Sequence, residues 1–469
     1  MSGLLLNHTG NIFSYDGDRY WTTDGQGNGF FDPRWDDKPY KVKGFNDASG
    51  QPTIAFRATD PSSDPATWPD PDAAVWPVEF QDPALYTQKG RINSWDNDPE
   101  YLDGDFFDLK DVHHGQGDPD NYVPAAALNY LCQVYQYWIA FADLDGFRID
   151  TVKHMDLGAT RFFASMIHEF AQSLGKENFY LIGEITGGRS RAFQTLEVTG
   201  LNAALGIDEI PEKLEYLVKG YRNPADYFSL FRNSLLVNKD SHIWFKDKVV
   251  TMFDDHDQVR KGQNKARFCA DPQAEKVVLN ALALNAMTLG IPCIYYGSEQ
   301  CFNGGGDGDG ADRYLREAMF GGEFGPFGSR ERHCFDETNP VYQELAKVLA
   351  IRQQNIVLRR GRQYLRAISA PTDGVNFGWP TLQGDQIRSV VAWSRVFSSQ
   401  EVLLAINTDY DQPRTAWVTI DASLHQPEEG LTCIYSTDSA QIGQASTVEA
   451  RNGQAVLLTV PAAGFVIYQ

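Results

Sequence analysis

Residues 144–154 read Leu144-Asp145-Gly146-Phe147-Arg148-Ile149-Asp150-Thr151-Val152-Lys153-His154, a short apolar strand that breaks off in charge. Alternate residues of a strand share a face, so Gly146, Arg148 and Asp150 point one way and Phe147 and Ile149 the other. An arginine and an aspartate two residues apart on one face can pair, and the pairing keeps the carboxylate ionised near neutral pH. An ionised carboxylate at the C-terminal end of a strand suits a nucleophile at the mouth of an α/β barrel. The alternative is an ion pair that merely closes a strand end.

Two further stretches share this build. Phe179-Tyr180-Leu181-Ile182-Gly183-Glu184 is an apolar run ending in a carboxylate, and Val249-Val250-Thr251-Met252-Phe253-Asp254-Asp255-His256-Asp257 is another. One such run is usually a strand end with a solvated acid. Three in order, each preceded by helix-length sequence, point to chemistry. Glycoside hydrolysis requires two carboxylates, one nucleophilic or basic and one kept protonated, and these runs supply both and a third.

Residues 145–154 resemble the second signature region of the α-amylase family of retaining glycoside hydrolases (glycoside hydrolase family thirteen). Residues 182–184 resemble the third region and 253–257 the fourth. Leu6-Asn7-His8 is similar to the end of the first, residues 290–299 to the last barrel strand, and residues 105–110 to the motif closing the family's inserted domain. The resemblance implies a (β/α)8 TIM-type barrel with an inserted subdomain and a C-terminal all-β sandwich. The implied activity is retaining hydrolysis of α-1,4-glucosidic bonds in starch-like glucans or malto-oligosaccharides. Transglycosylation from the same intermediate, or a non-catalytic carbohydrate-binding relative, are the alternatives.

By the same resemblance Asp150 is the nucleophile, Glu184 the acid/base and Asp257 the acid that binds sugar hydroxyls and opposes transition-state charge. The acid/base role requires the pKa of Glu184 to be raised by nearby negative charge and shielding, while Arg148 holds Asp150 ionised. His8 and His256 are expected to contact the sugar being cleaved. Lys153 and His154 are expected on the leaving-group side, against the alternative of two solvated residues opening a loop. Asn7, Asp108 and the His154 carbonyl match positions that hold a structural calcium in many members, and oxygen ligands suit that ion. Asp255 stands where the family usually has Asn, which either shifts a neighbouring pKa or only alters a hydrogen bond.

With 469 residues and 42% apolar content the chain can bury a large core and divide into two or three domains. A formal net charge of −21 argues against nucleic acid or an acidic membrane as partner and suits a neutral sugar ligand. The six cysteines show no metal-ligand spacing and read as reduced thiols. No run of eighteen apolar residues predicts a membrane span. No secretory leader precedes the first motif, so a cytoplasmic location is the expectation.

The resemblance makes Leu4-Leu5-Leu6 the end of the third barrel strand, in residues 1–9, and the family's aspartate four residues before Asn7 falls on Gly3. An N-terminally incomplete barrel, with six of eight strands, is therefore the expectation. Residues 10–120, rich in Gly, Pro, Asp, Asn and Trp, read as the inserted subdomain. Its Tyr20, Trp21, Trp35 and Trp95 could line a sugar cleft or cement a small irregular core. Residues 121–356 alternate helical and strand patterns, with helices at 121–141, 159–174, 272–289 and 341–354, and so imply a parallel sheet. The Gly-rich run 304–310 reads as a loop near the barrel mouth. Residues 357–469 alternate in β fashion and read as the sandwich.

Overall fold

Gly146 explains how closely the central strands pack: a Cβ there would lie 2.3 Å from the Tyr180 carbonyl. The computed structural model describes residues 2–15, 42–46, 52–54, 78–231, 247–262, 265–304, 314–317, 319, 335–382 and 384–469. Two units divide the chain, Met1–Gly206 and Ile207–Gln469.

In the first unit four strands form a parallel sheet in sequence order: β1 (Ser2–Leu4), β2 (Gly146–Ile149), β3 (Tyr180–Glu184) and β4 (Ala203–Leu205). Helices α1 (Ala126–Ala142), α2 (Leu157–Ser173) and α3 (Arg189–Thr199) make the crossovers. Parallel neighbours joined through helices are the arc of a β/α barrel. Phe147 and Ile149 are buried, with Phe147 edge-on to Tyr135 of α1 and to Phe179. The opposite face of β2 carries Arg148, as alternation requires.

α1 begins at Ala126 and not at residue 121. Val123 and Pro124 instead pair with Gly115–Gln116, and Val123 is exposed, so it is no part of the helix's apolar face. A proline disfavours helical geometry in the residue before it, which accounts for the later start. α1 ends on Asp143 in a left-handed conformation, and Lys176 then holds Asp143 and Asp145 at 2.6 and 3.0 Å, fixing the entry to β2.

Parts of the inserted segment are described. Phe13–Tyr15, Val42–Asn46 and Pro52–Ile54 form a three-stranded antiparallel sheet. Phe13, Tyr15, Phe80, Leu85, Tyr86 and Val112 share one small core with Ala127 of α1. Trp95 packs against Phe106, Phe107 and His154, in keeping with the cementing role. Tyr20, Trp21 and Trp35 lie outside the described residues, as do Cys334 and positions 305–310 of the Gly-rich run.

The second unit continues the alternation. β5 (Val250–Thr251) and β6 (Ile291–Pro292) pair in parallel, and between them α5 (Ala274–Met287) is buried on every side from Val277 onward. α4 (Glu209–Val218) packs against α5. α6 (Pro340–Gln354) starts on Asn339, whose Oδ1 accepts the Val341 N–H at 2.9 Å, with proline at the first helical position. Six parallel strands are thus found among the described residues, four in one unit and two in the other.

From Arg362 the chain forms nine antiparallel strands in one continuous ladder. Val390 and Leu403 from one half share a core with Val418, Val456 and Leu458 from the other, so the sheet closes on itself as two layers. Among the described residues no helix is long and apolar enough to cross a membrane.

Candidate active site

β2 and β3 end side by side, with Ile149 opposite Gly183, so the next residues out, Asp150 and Glu184, stand at adjacent strand ends. Arg148 joins them. Its Nη1 pairs with Asp150 Oδ1, and its Nη2 lies 2.9 Å from Glu184 Oε2. Thr151, directly after Asp150, is left-handed with φ 47°, a conformation costly for a β-branched residue. That turn aims the Thr151 N–H at Glu184 Oε2, which accepts it at 3.1 Å. One oxygen of Glu184 therefore accepts the Thr151 N–H and lies in ion-pair range of Arg148. All three side chains are about one-fifth exposed and remain accessible to a ligand.

His8 is buried, stacked on Phe106 with ring centroids 5.3 Å apart. Burial lowers its pKa, and the charge of Asp150 pushes the other way. His154 is also buried. Burial lowers its pKa to about 4, and its Nδ1 meets the Tyr101 carbonyl at 2.8 Å. Lys153 binds Asp96 at 2.8 Å. Neither residue is a solvated loop opener: both fasten the end of β2 to the inserted segment.

Asn7 lies at the centre of a second cluster. Its Nδ2 donates to Asp111 Oδ1 and to the His154 carbonyl, both at 2.8 Å, while its Oδ1 faces His8 Nδ1 at 2.9 Å. Asp111, and not Asp108, is the carboxylate here. Main-chain bonds from Thr9 to Lys110 and from Val112 to Asn7 pair the two segments and fix that register. Asp108 instead lies half exposed against Arg91, whose Nε is 2.9 Å away.

The cluster fits a hard cation. Asp111 Oδ2 is buried and accepts no hydrogen bond of normal geometry, with the Thr87 hydroxyl alongside. Burial, and then Asp105 and Asp103 nearby, raise the pKa of Asp111 well above the ordinary carboxylate value. Turning the Asn7 amide over would present its Oδ1 beside Asp111 Oδ1 and the His154 carbonyl, an all-oxygen set. The same turn would give His8 Nδ1 a donor to accept from, leaving the ring proton on Nε2. Among the described residues no three His, Cys, Asp or Glu side chains form a metal cluster, so the set depends on the amide and the carbonyl.

Asp257 belongs to the second unit. His256 Nε2 lies 3.0 Å from it and Arg316 pairs with it. Burial works against its charge, but His256 and Arg316 outweigh that and lower its pKa to about 2. Asp255 Oδ1 accepts the main-chain N–H groups of Asp257, at 2.8 Å, and Gln258. An asparagine oxygen could do the same, so the departure from the family pattern leaves this hydrogen-bonding role intact.

Sequence reasoning missed the groups that hold this loop. Glu215 of α4 is buried with Lys219, Arg260 and Lys261 around it; burial raises its pKa, but those cations bring it down to about 2. Arg260 also donates to the Phe253 carbonyl at 3.2 Å. Asp254 accepts from Phe268 N–H at 2.7 Å and from Ser298 at 2.9 Å. Arg316 likewise carried no signal beyond its charge.

A sequence profile described as "Alpha amylase, catalytic domain" matches residues 5–417. The chain belongs to the alpha-amylase family. An alpha-amylase of Streptomyces lividans is 25% identical over 493 residues, covering 99% of this chain and 47% of its own length. A cyclomaltodextrin glucanotransferase of Klebsiella oxytoca is 27% identical over 260 residues, covering 50% of this chain and 38% of its own. The chain thus spans about half, or less, of the length of these relatives. Among solved structures, an Anoxybacillus alpha-amylase superposes with a TM-score of 0.59 at 20% identity, over 83% of this chain and 71% of that one. The cyclomaltodextrin glucanotransferase CldA gives 0.58 at 20% identity, over 83% and 67%. At such identity these likenesses establish the fold, a family barrel with a C-terminal β domain.

Proposed function

We propose that the protein cleaves α-1,4-glucosidic bonds in starch-like glucans or malto-oligosaccharides with retention of configuration. The observation that carries this is Arg148 reaching both Asp150 and Glu184 at neighbouring strand ends. Retaining enzymes hold their two carboxyl groups roughly 5–5.5 Å apart, and one guanidinium serving both suits that spacing. Asp150 attacks the anomeric carbon and forms the glycosyl ester. Glu184 gives its proton to the departing oxygen, then takes one from water. With Oε2 facing Arg148 and Thr151, the transferable proton belongs on Oε1. The resemblance gives Asp257 the sugar hydroxyls and the developing positive charge; it gives His8 and His256 contacts to the same sugar, and Lys153 and His154 the leaving-group side.

Calcium would be held by Asn7, Asp111 and the His154 carbonyl. When bound it supplies charge to neutralise Asp111 and a tie between β1, the end of β2 and the inserted segment. Sugar transfer to an acceptor sugar, in place of water, is the second reading, favoured by the glucanotransferases among the relatives. Incubation with maltoheptaose followed by chromatography tests the proposal: shorter products mean hydrolysis, redistributed lengths mean transfer, and an unchanged profile rejects both.

A further inference from the structure

A cavity of about 790 Å³ opens on the second unit. It is lined by Tyr221, just after α4, by Asp385, Gln386, Arg388 and Ser389, and by Arg414 at the start of the strand Arg414–Ile420. That volume lies within the roughly 300–1,000 Å³ of small-ligand sites. Main-chain bonds fix its walls. Gly220 is left-handed, and a Cβ there would lie 2.5 Å from the Ile387 carbonyl, so only glycine lets the two segments close up. The Ile387 N–H donates to the Gly220 carbonyl and the Tyr221 N–H to the Tyr216 carbonyl, both at 2.7 Å. Leu382 N–H donates to Asn223 Oδ1 at 2.9 Å, and Ser389 N–H to Thr408 Oγ1 at 3.1 Å.

The charges around the cavity nearly cancel. Arg414 Nε donates to Asp409 Oδ2 at 2.9 Å, and Arg388 Nη1 lies 3.9 Å from both Asp409 and Asp411. Asp385 adds an exposed carboxylate to the lining. Two guanidinium groups thus face three carboxylates, which favours neither an anion nor a strongly charged cation. What the lining offers is donors and acceptors side by side, Arg388 and Gln386 with Asp385, and an aromatic ring that is 44% exposed, Tyr221.

We propose that this cavity is a second, non-catalytic binding site for a segment of neutral α-glucan. A pyranose has an apolar C–H face and a rim of hydroxyls that both donate and accept. The Tyr221 ring suits the face, a carboxylate such as Asp385 accepts from one hydroxyl of a neighbouring pair, and a guanidinium such as that of Arg388 donates to the other. Walls fixed by the main chain spare the ligand the cost of ordering them. The choice of glucan among neutral saccharides rests on the proposed function. None of the lining residues belongs to the carboxylate site.

Amide hydrogen exchange in the cold, with and without maltoheptaose, and native electrophoresis through amylose-containing gels test the site. Maltoheptaose should slow exchange in peptides covering residues 216–222 and 380–390, and amylose should retard the protein. Tyr221→Ala should raise severalfold the amylose concentration needed for half-retardation, while Tyr221→Phe keeps the unaltered value; both should cleave maltoheptaose at the unaltered rate. Unchanged exchange in both peptides overturns the proposal, and so does equal retardation of Tyr221→Ala and the unaltered protein. Retardation that depends on Tyr221, with no products from maltoheptaose, sinks the cleavage reading and leaves this site standing. Products without that dependence do the reverse.

Discussion

Arg148 Nη2 lies 2.9 Å from Glu184 Oε2 while the same guanidinium pairs with Asp150. One cation thus pairs with both carboxylates, to which the proposed mechanism gives opposite tasks. Because Oε2 is occupied, Glu184 can act as a proton donor through Oε1 alone. Glu184→Gln removes that proton, and general acid catalysis is worth about 10²–10⁴-fold. The expected result is a loss of that size in kcat on maltoheptaose and a much smaller loss on a glycosyl fluoride, whose leaving group needs no proton. Equal losses on both substrates would remove Glu184 from the acid role.

The inserted segment supplies its own prediction. Calcium should raise the melting temperature by several degrees, and a chelator should reverse the gain, since an ion bound only by the native state stabilises it by mass action. Asp111→Ala should abolish the calcium response. Asp108→Ala should leave it intact, because Asp108 is turned toward Arg91. Differential scanning calorimetry with and without calcium separates the two.

Asp257 has a pKa of about 2 against an ordinary value of 3.8. A carboxylate whose pKa falls on folding stabilises the native state above the unfolded value, and that contribution is lost as pH drops through the folded one. The window is therefore from about pH 4 down to about pH 2. Arg316→Met should raise the Asp257 pKa and cost on the order of 1 kcal/mol at neutral pH, a value discounted because Arg316 is half exposed. Carboxyl-carbon NMR titration measures the first, and urea denaturation at pH 7 and pH 2.5 the second. A titration midpoint unchanged by the substitution would count against the pairing.

Glu215 meets three cations in a nearly water-free setting. Removing one partner of a buried ionic cluster typically costs about 3–5 kcal/mol, since the remaining charges are left uncompensated. Glu215→Gln should therefore lower the melting temperature well beyond what Glu212→Gln does on the exposed face of the same helix. Thermal melts of the two variants provide the comparison.

What the sequence disclosed is tied to local pattern. Asp150 and Glu184 were legible as strand-end acids because apolar runs ending in a carboxylate are contiguous, whereas Asp257 lies in the loop six residues beyond the strand Val250–Thr251. The start of α1 was misread because Val123 looks like a first apolar residue until its pairing with Gln116 is seen. Asp108 and Asp111 stand three residues apart, and nothing in their spacing says which faces Asn7; the pairing of residues 7–9 with 110–112 decides it. Glu215 and Arg260 are joined only through tertiary contact, where linear pattern has no reach.

The central claim is a covalent intermediate on Asp150, and the configuration of the first-formed product tests it most directly. Proton NMR of the fresh reducing end released from maltoheptaose should show the α anomer first, with the β anomer growing in only by mutarotation. An Asp150→Gly variant given azide should regain turnover and yield the β-glycosyl azide. A β anomer formed first by the unaltered protein would contradict the account, because it would mean a single displacement by water with no ester at Asp150.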